Sequence, residues 1–321
     1  MIVDGVKIAD EKHLRDICKL DLEGVALIEQ GYAKLSAGEV EMPEIQHLSI
    51  VENRGDIDIK SAFIHGSKNV AVKIAAGYDD NPKRNLPFSS GSVVVVDALT
   101  GRCKAVLLDN CYLTNLRTAL AGAVAAKHFA PQQHVRLGVV GTGVQARLQA
   151  QAVALVRDVE SVMVFGRSED AIRNYQQEMS EELSVAVSGT TQIEPLMEDC
   201  NTIVTTTPAT SPLIRFEMLR SGHHITAMGS DLPGKNEIDA GCFERADRIS
   251  CDDLEASSKF GELQWLSAEK RGSLNPTPLG RVVGNPELSR ADDNEITICD
   301  LVGLGVQDAA IANYVCSKLD I

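Results

Sequence analysis

The stretch "LGVVGTGVQARLQA", residues 137–150, decides how this chain folds. It closes an apolar run that begins at Val135 and passes through Gly141 and Gly143 into residues with helical spacing. Gly141, Gly143 and Ala146 form a GxGxxA pattern. The first glycine permits a tight turn, the second lets backbone approach a pyrophosphate, and the alanine allows close helix packing. A helix that starts there offers free N–H groups and a partial positive charge to an anion. Residues Gly141, Thr142, Gly143, Val144 and Gln145 are therefore the expected phosphate cradle of a dinucleotide.

Downstream, strand-like and helix-like segments alternate. Ser161–Phe165 reads as a strand and Glu169–Met179 as a helix; further strands are expected at Thr202–Thr206, His224–Met228 and Arg248–Cys251. Alternation of this kind predicts a doubly wound parallel sheet of the Rossmann type. An NAD-binding second strand carries an acid about 20 residues past the glycine loop. Here that strand ends Phe165, Gly166, Arg167, Ser168. Arg167 with Ser168 suits a 2′-phosphate, so the expected cofactor is NAD(P), with NADP favoured over NAD. The plain alternative for Arg167 is a solvated arginine in a turn.

Upstream the pattern differs. Residues 11–36 have helical spacing, residues 57–64 and 69–75 alternate like strands, and Ser92–Val96 with Cys103–Leu108 read as a hairpin around Asp97–Gly101. This predicts an α+β region with a partly antiparallel sheet. "CYLTNLRTALAGAVAAKHFAP" reads as an alanine-rich helix stopped before Pro131. The final stretch, with Val306, Ala309, Ala310, Ala312 and Val315 on one face, reads as a helix that packs back on the first region.

Composition narrows the function. The 321 residues are 44% hydrophobic and carry a net charge of −14. No basic field exists to attract nucleic acid or an anionic membrane. No apolar run approaches the roughly 18 residues of a membrane span. The N-terminus has no signal-peptide core, and the eight cysteines are scattered without a CxxC pair. Reduced thiols in a cytoplasmic protein, and no metal site, are the expectation.

Three side chains outside the glycine loop point to chemistry. Lys73 lies inside the apolar strand "AVKIAAGY", where an unpaired charge is costly. Arg117 lies early in the alanine-rich helix and can grip a carboxylate with two parallel bonds. Asp231 follows the apolar run His224–Met228 and the small Gly229 and Ser230, at the start of "DLPGKNEID". Taken singly, a snorkelling lysine, a surface arginine and an ordinary turn are the bland readings.

Together, "AVKIAAG", "DALTGRCKAVLLDNCYLTNLRTALAGAVAAKHFA", "GVVGTGVQAR", "GSDLPGKNEID" and "GVQDAAIA" resemble the ornithine cyclodeaminase/μ-crystallin family over most of the chain. The loop "GYDDNPKRNLP" and "DNCYLT" resemble its ectoine-utilisation branch. The resemblance implies a homodimer acting on a small amino acid or imino acid. It implies a substrate-binding and dimerisation domain over residues 1–118 with 302–321, and an NAD(P)-binding Rossmann domain over 119–301. Lys73 and Arg117 would take the substrate carboxylate, with Lys73 also catalytic. Asp231 would be the catalytic acid, working on the substrate nitrogen or on an attacking water. Met228, Gly229 and Ser230 would lie beneath the nicotinamide, the small residues giving cofactor and substrate room.

Two departures bear on the substrate. The family's further carboxylate-binding arginine has no counterpart near "EMPEIQHLSI"; His47 is the expected substitute, with Arg54 the alternative. Where true ornithine cyclodeaminases carry an acid, this chain has Lys60, which does not welcome a distal ammonium; taken alone it reads as an ordinary sheet-face lysine. The expected activity is an imine reductase or amino-acid dehydrogenase. The alternatives are a redox-neutral cyclodeaminase that releases ammonia, and a non-catalytic, NADPH-binding μ-crystallin-like protein.

Overall fold

Around Val135–Val140 a parallel sheet of eight strands is assembled. Its order is Ala186–Thr190, Val159–Phe165, Val135–Val140, Thr202–Thr205, His224–Ala227, Thr297–Asp300, Arg248–Cys251 and Thr277–Pro278. Every pairing is parallel. Successive strands run outward from Val135–Val140 in opposite directions, so a crevice opens at its carboxyl end, where doubly wound sheets bind ligands. The computed structural model describes residues 1–321 and divides into two compact units, Ala119–Gly303 and Met1–Thr118 with Leu304–Ile321.

The parallel strands are covered on both faces, which explains their continuous apolar runs. Val135, Leu137, Val139 and Val140 are all fully buried. Gly138 is needed for the cover: a Cβ there would stand 2.6 Å from Leu196 on the helix Ile193–Asp199. The helix Val144–Val156 buries Ala146, Ala150, Ala152 and Val153, small residues that let it sit close. Thr297–Asp300 escapes the sequence pattern yet occupies the middle of the sheet, between His224–Ala227 and Arg248–Cys251.

The other unit holds a mixed sheet. Its order is Ile2–Val3, Val6–Asp10, Cys103–Leu108, Ser89–Asp97, Asn69–Tyr78, Gly55–Ile64 and Val40–Glu41, with Gln46–Ile50 also on Gly55–Ile64. Only Val6–Asp10 and Cys103–Leu108 run parallel. One face, carrying Ala62, Ile64, Ala71, Val93 and Val95, is buried. Helix Gly305–Lys318 packs on the strands of this sheet and buries Val306, Ala309, Ala310, Ala312 and Val315. The helical region 11–36 is two helices, Glu11–Ile17 and Leu22–Ser36. Cys18 leaves the first in an extended conformation, and the Asp21 carboxylate caps the second by accepting from Gly24 N–H at 2.8 Å. No helix is long and apolar enough to cross a membrane.

Candidate active site

The glycine loop sits at the carboxyl end of Val135–Val140. Gly141 adopts φ +122°, a conformation that L side chains avoid, and a Cβ there would meet Thr206 Oγ1 at 2.5 Å. Around Gly143 the space is open, with nothing within 4 Å of a Cβ position. No side chain caps the helix that follows. A groove of about 520 Å³ lies against the loop, lined among others by Thr142, Phe165, Arg167, Thr207 and Ser211. Open backbone at the uncapped end of a 13-residue helix fits a dinucleotide pyrophosphate. Arg167 is exposed on the groove wall, while Ser168 caps the helix Glu169–Leu183 through Ala171 N–H. Arg147, one turn in, donates to the Thr142 carbonyl at 2.6 Å and steadies the loop.

The same unit holds acids that the sequence did not single out. Glu237 is fully buried and accepts from Thr205 Oγ1 (2.6 Å), Thr207 N–H (2.6 Å), Thr207 Oγ1 (2.8 Å) and Gly229 N–H (2.8 Å). One carboxylate thus ties a wall of the groove to the segment that carries Asp231. Burial raises its pKa, against the pull of those donors. Glu262 accepts from Glu237 N–H and from Asn236 Nδ2, both at 2.7 Å, and burial pushes it up to about 7. Asp300 accepts from the N–H groups of Glu262 and Leu263, and burial pushes it well above the usual range. The only clue in the sequence was acids set among apolar residues, as in "NEID" and "ITICD".

Met228 ends the run His224–Met228 and is buried. Gly229 is required for a reason other than room for a ligand. A Cβ there would lie 2.3 Å from the Thr207 carbonyl and 2.5 Å from the Glu237 carboxyl. Ser230 is also buried, its hydroxyl within 3.0 Å of the Lys235 carbonyl. Asp231 stands at the surface of this unit, paired with Lys235 at 2.5 Å.

In the other unit, Lys73 and Arg117 converge on one acid. Lys73 Nζ is 3.2 Å from Asp308 Oδ2, and Arg117 Nε is 3.2 Å from Oδ1. The arginine contact is an ion pair without hydrogen-bond geometry at Nε. Arg117 Nη1 donates to Gln307 Oε1 at 2.9 Å, and Gln307 Nε2 donates to the Tyr32 hydroxyl at 2.7 Å. All of these charges are buried. Burial brings Lys73 down to about 8; Asp308 opposes that, while Arg117 and Lys60 reinforce it. Burial raises Asp308, but Lys73, Arg117 and Lys60 together hold it below the usual carboxylate range. Lys60 is not a solvated sheet lysine: it is 7% exposed and pairs across the strands with Lys73. His47 is exposed and engages Asp58 at 2.8 Å; Arg54 pairs with Asp79 at the surface. Gln307 and Asp308 were legible only as two adjacent polar residues inside an otherwise apolar helix.

A parallel sheet with an open glycine loop at its central strand defines an α/β protein of the doubly wound, dinucleotide-binding type. More particularly, the chain belongs to the ornithine cyclodeaminase/mu-crystallin family, whose sequence profile matches residues 9–320. A putative dehydrogenase of Rhizobium meliloti is 40% identical over 96% of this chain and 94% of its own. Among solved structures, an archaeal alanine dehydrogenase dimer with bound NAD superposes with a TM-score of 0.87 at 28% identity, covering 98% of this chain and 97% of its own. The iminosuccinate reductase of Paracoccus denitrificans in complex with NAD+ superposes with a TM-score of 0.87 at 27% identity, covering 98% and 96%.

Proposed function

We infer that the protein is an NAD(P)-dependent oxidoreductase acting on the carbon–nitrogen bond of a small amino acid or its imine. The observation that carries the reading is the buried Lys73–Arg117 pair sharing a single acid, in a chain whose other unit has a dinucleotide groove. Two buried cations with one shared counter-ion are poised for a further anion, and a substrate carboxylate supplies it. The alanine dehydrogenase and the iminosuccinate reductase, named for alanine and iminosuccinate, support the substrate class.

A bound nicotinamide supplies or accepts the hydride. The protein's own groups do the rest. Lys73 and Arg117 hold the carboxylate, and His47 stands in for the arginine the family places near it. Lys73, brought down to about 8, can also release and take back a proton near neutrality. Asp231 gives a proton to nitrogen when C=N is reduced and takes one when the amine is oxidised. Gly141, Thr142, Gly143, Val144 and Gln145 cradle the pyrophosphate; Met228, Gly229 and Ser230 lie beneath the nicotinamide. Residues 119–301 serve the cofactor, and residues 1–118 with 302–321 serve substrate and dimerisation.

Arg167 with Ser168 favours a 2′-phosphate and hence NADP, whereas the two solved relatives hold NAD. Comparing Kd for NADPH and NADH decides between them. A homodimer fits the outer face of the mixed sheet. Leu48, Ile57, Ile59, Ile74, Val94 and Leu108 share it by register, and Leu48, Ile74 and Leu108 are 50%, 38% and 46% exposed. An apolar sheet face of this extent suits a second copy, and the alanine dehydrogenase relative is a dimer. The loop Gly77–Pro87 and Asp109–Thr114 support placement in the ectoine-utilisation branch; deletion of the gene would then impair growth on ectoine.

Purified protein assayed with NADH and NADPH against cyclic and linear imino acids tests the function. Cofactor consumption, abolished in Asp231→Asn, supports it. Ammonia release from an amino acid with no net cofactor change would instead identify a cyclodeaminase.

A further inference from the structure

Strand register gathers charge on one face of the mixed sheet. Lys60, Lys73, Val93 and Leu107 stand side by side across four strands, and all four are buried. Residues two apart in a strand share a face, so Asp58, Ala75 and Gly91 form the next row on it. Asp109 closes that row. It lies two residues past Leu107, beside Gly91, whose carbonyl accepts from Asn110 N–H at 3.1 Å. Asp109 is 1% exposed, while the intervening Leu108 is 46% exposed and points the other way. Cys111 rests against Gly91, its Sγ 2.9 Å from a Cβ position there. Burial raises the Cys111 thiol, and Asp109, Lys73 and Arg117 all act on it, so the acid and both cations lie around one side chain.

Asp109 is more than a helix cap. Its Oδ2 accepts from Leu113 N–H at 2.9 Å, at the start of the helix Tyr112–Phe129. Its Oδ1 is buried and has no hydrogen-bond partner. A cap needs one oxygen only, and a buried acceptor left unpaired is costly. The backbone beside it is also constrained: Asn110 and Cys111 have φ of +48° and +66°, two successive non-glycine residues in the left-handed region. Burial raises the Asp109 carboxyl, and backbone N–H donors and Lys73 draw it back down. A cationic N–H from a ligand would act in the same direction and would fill the empty position on Oδ1.

In an α-amino or α-imino acid, carboxylate and nitrogen sit on one carbon. A carboxylate held by Lys73 and Arg117 therefore brings the nitrogen into the same cluster. We propose that Asp109 binds the substrate nitrogen, its free Oδ1 accepting an N–H from the ammonium or iminium group. This assignment rests on the reading of Lys73 and Arg117 as the carboxylate site. It leaves proton transfer with Asp231, and it lets the site reject acids that lack nitrogen, because their C–H offers nothing to Oδ1.

Paired ligands test it: L-proline against cyclopentanecarboxylate, and L-alanine against propionate. With NADH or NADPH bound an amine cannot be turned over, so Kd is read by cofactor fluorescence. Asp109→Asn and Asp109→Ser each keep one oxygen for the Leu113 N–H, so the helix stays capped, and neither has a second oxygen to spare. Wild type is expected to bind the nitrogen-bearing member of a pair at least about tenfold more tightly, and both variants to lose most of that preference while holding the nitrogen-free acid as before. Wild type that binds both members of each pair alike, or a preference that survives both variants whatever their overall affinity, overturns the proposal and makes Asp109 a helix cap only; the carboxylate reading then stands. Wild type that binds none of the four acids overturns the carboxylate reading, and the proposal with it.

Discussion

The two units bury charge in different ways. In Ala119–Gly303 the buried charges Glu237, Glu262 and Asp300 are acids met by backbone N–H groups, threonine hydroxyls and an asparagine amide. In the other unit the cations Lys60, Lys73 and Arg117 are buried along with the acids Glu29, Asp109 and Asp308, and Lys73 and Arg117 share Asp308. A carboxylate surrounded by neutral donors is locally satisfied and fixes the segments that donate to it. Cations that share one acid are only partly neutralised. The first arrangement is architecture; the second is the one we propose as the receptor for a substrate carboxylate.

The largest expected effect is in the cation cluster. Asp308→Asn removes the shared counter-ion, and loss of one partner from a buried pair costs about 3–5 kcal/mol. Urea unfolding at pH 7 should show that loss; a change near zero would mean that water already solvates both cations. Glu237→Gln is expected to cost less, about 1–3 kcal/mol, because an amide must point a donor at one of four existing donors. It should also weaken dinucleotide binding, read by cofactor fluorescence, since Thr207 and Gly229 lose their common acceptor. Unchanged cofactor affinity would reduce Glu237 to a purely structural group.

A comparable effect separates the units by pH. Glu262 is raised from 4.5 to about 7. Its contribution to stability is therefore full below 4.5 and lost as pH rises through 7, about 3 kcal/mol in all. Lys73 is depressed from 10.5 to about 8, so its contribution is present above 10.5 and lost as pH falls through 8. Unfolding free energies measured from pH 4 to 8 should lose the acid-limb slope in Glu262→Gln. A slope unchanged by that substitution would assign it to other groups. The smallest effect is at the exposed Arg167. Arg167→Ala should weaken NADPH by about tenfold and NADH much less; equal losses for both would remove the 2′-phosphate reading.

The parallel sheet was legible because its marker is local: an apolar strand, two glycines and a small residue within one turn of helix. Strand Thr297–Asp300 was not, although strands as short, such as His224–Ala227, were. The cations Lys73 and Arg117 announced themselves by lying in apolar surroundings. Their common acid did not, because Asp308 is far along the chain and only folding brings the three together. Lys60 taken alone reads as a sheet-face lysine, and register alone reveals that it stands opposite Lys73. Gly229 looked like room for a ligand, but Glu237 and Thr207 occupy that space.

The central claim is that Lys73, as a cation beside Arg117, takes the substrate carboxylate. The most direct measurement is the pH dependence of kcat/KM for reduction of an imino acid, which reports groups of the free enzyme. kcat/KM is expected to fall above about 8, as Lys73 loses its proton, and Asp308→Asn is expected to move that limb to lower pH, because Asp308 holds Lys73 up. A profile flat from neutrality to pH 10, or a limb that Asp308→Asn leaves in place, would contradict it.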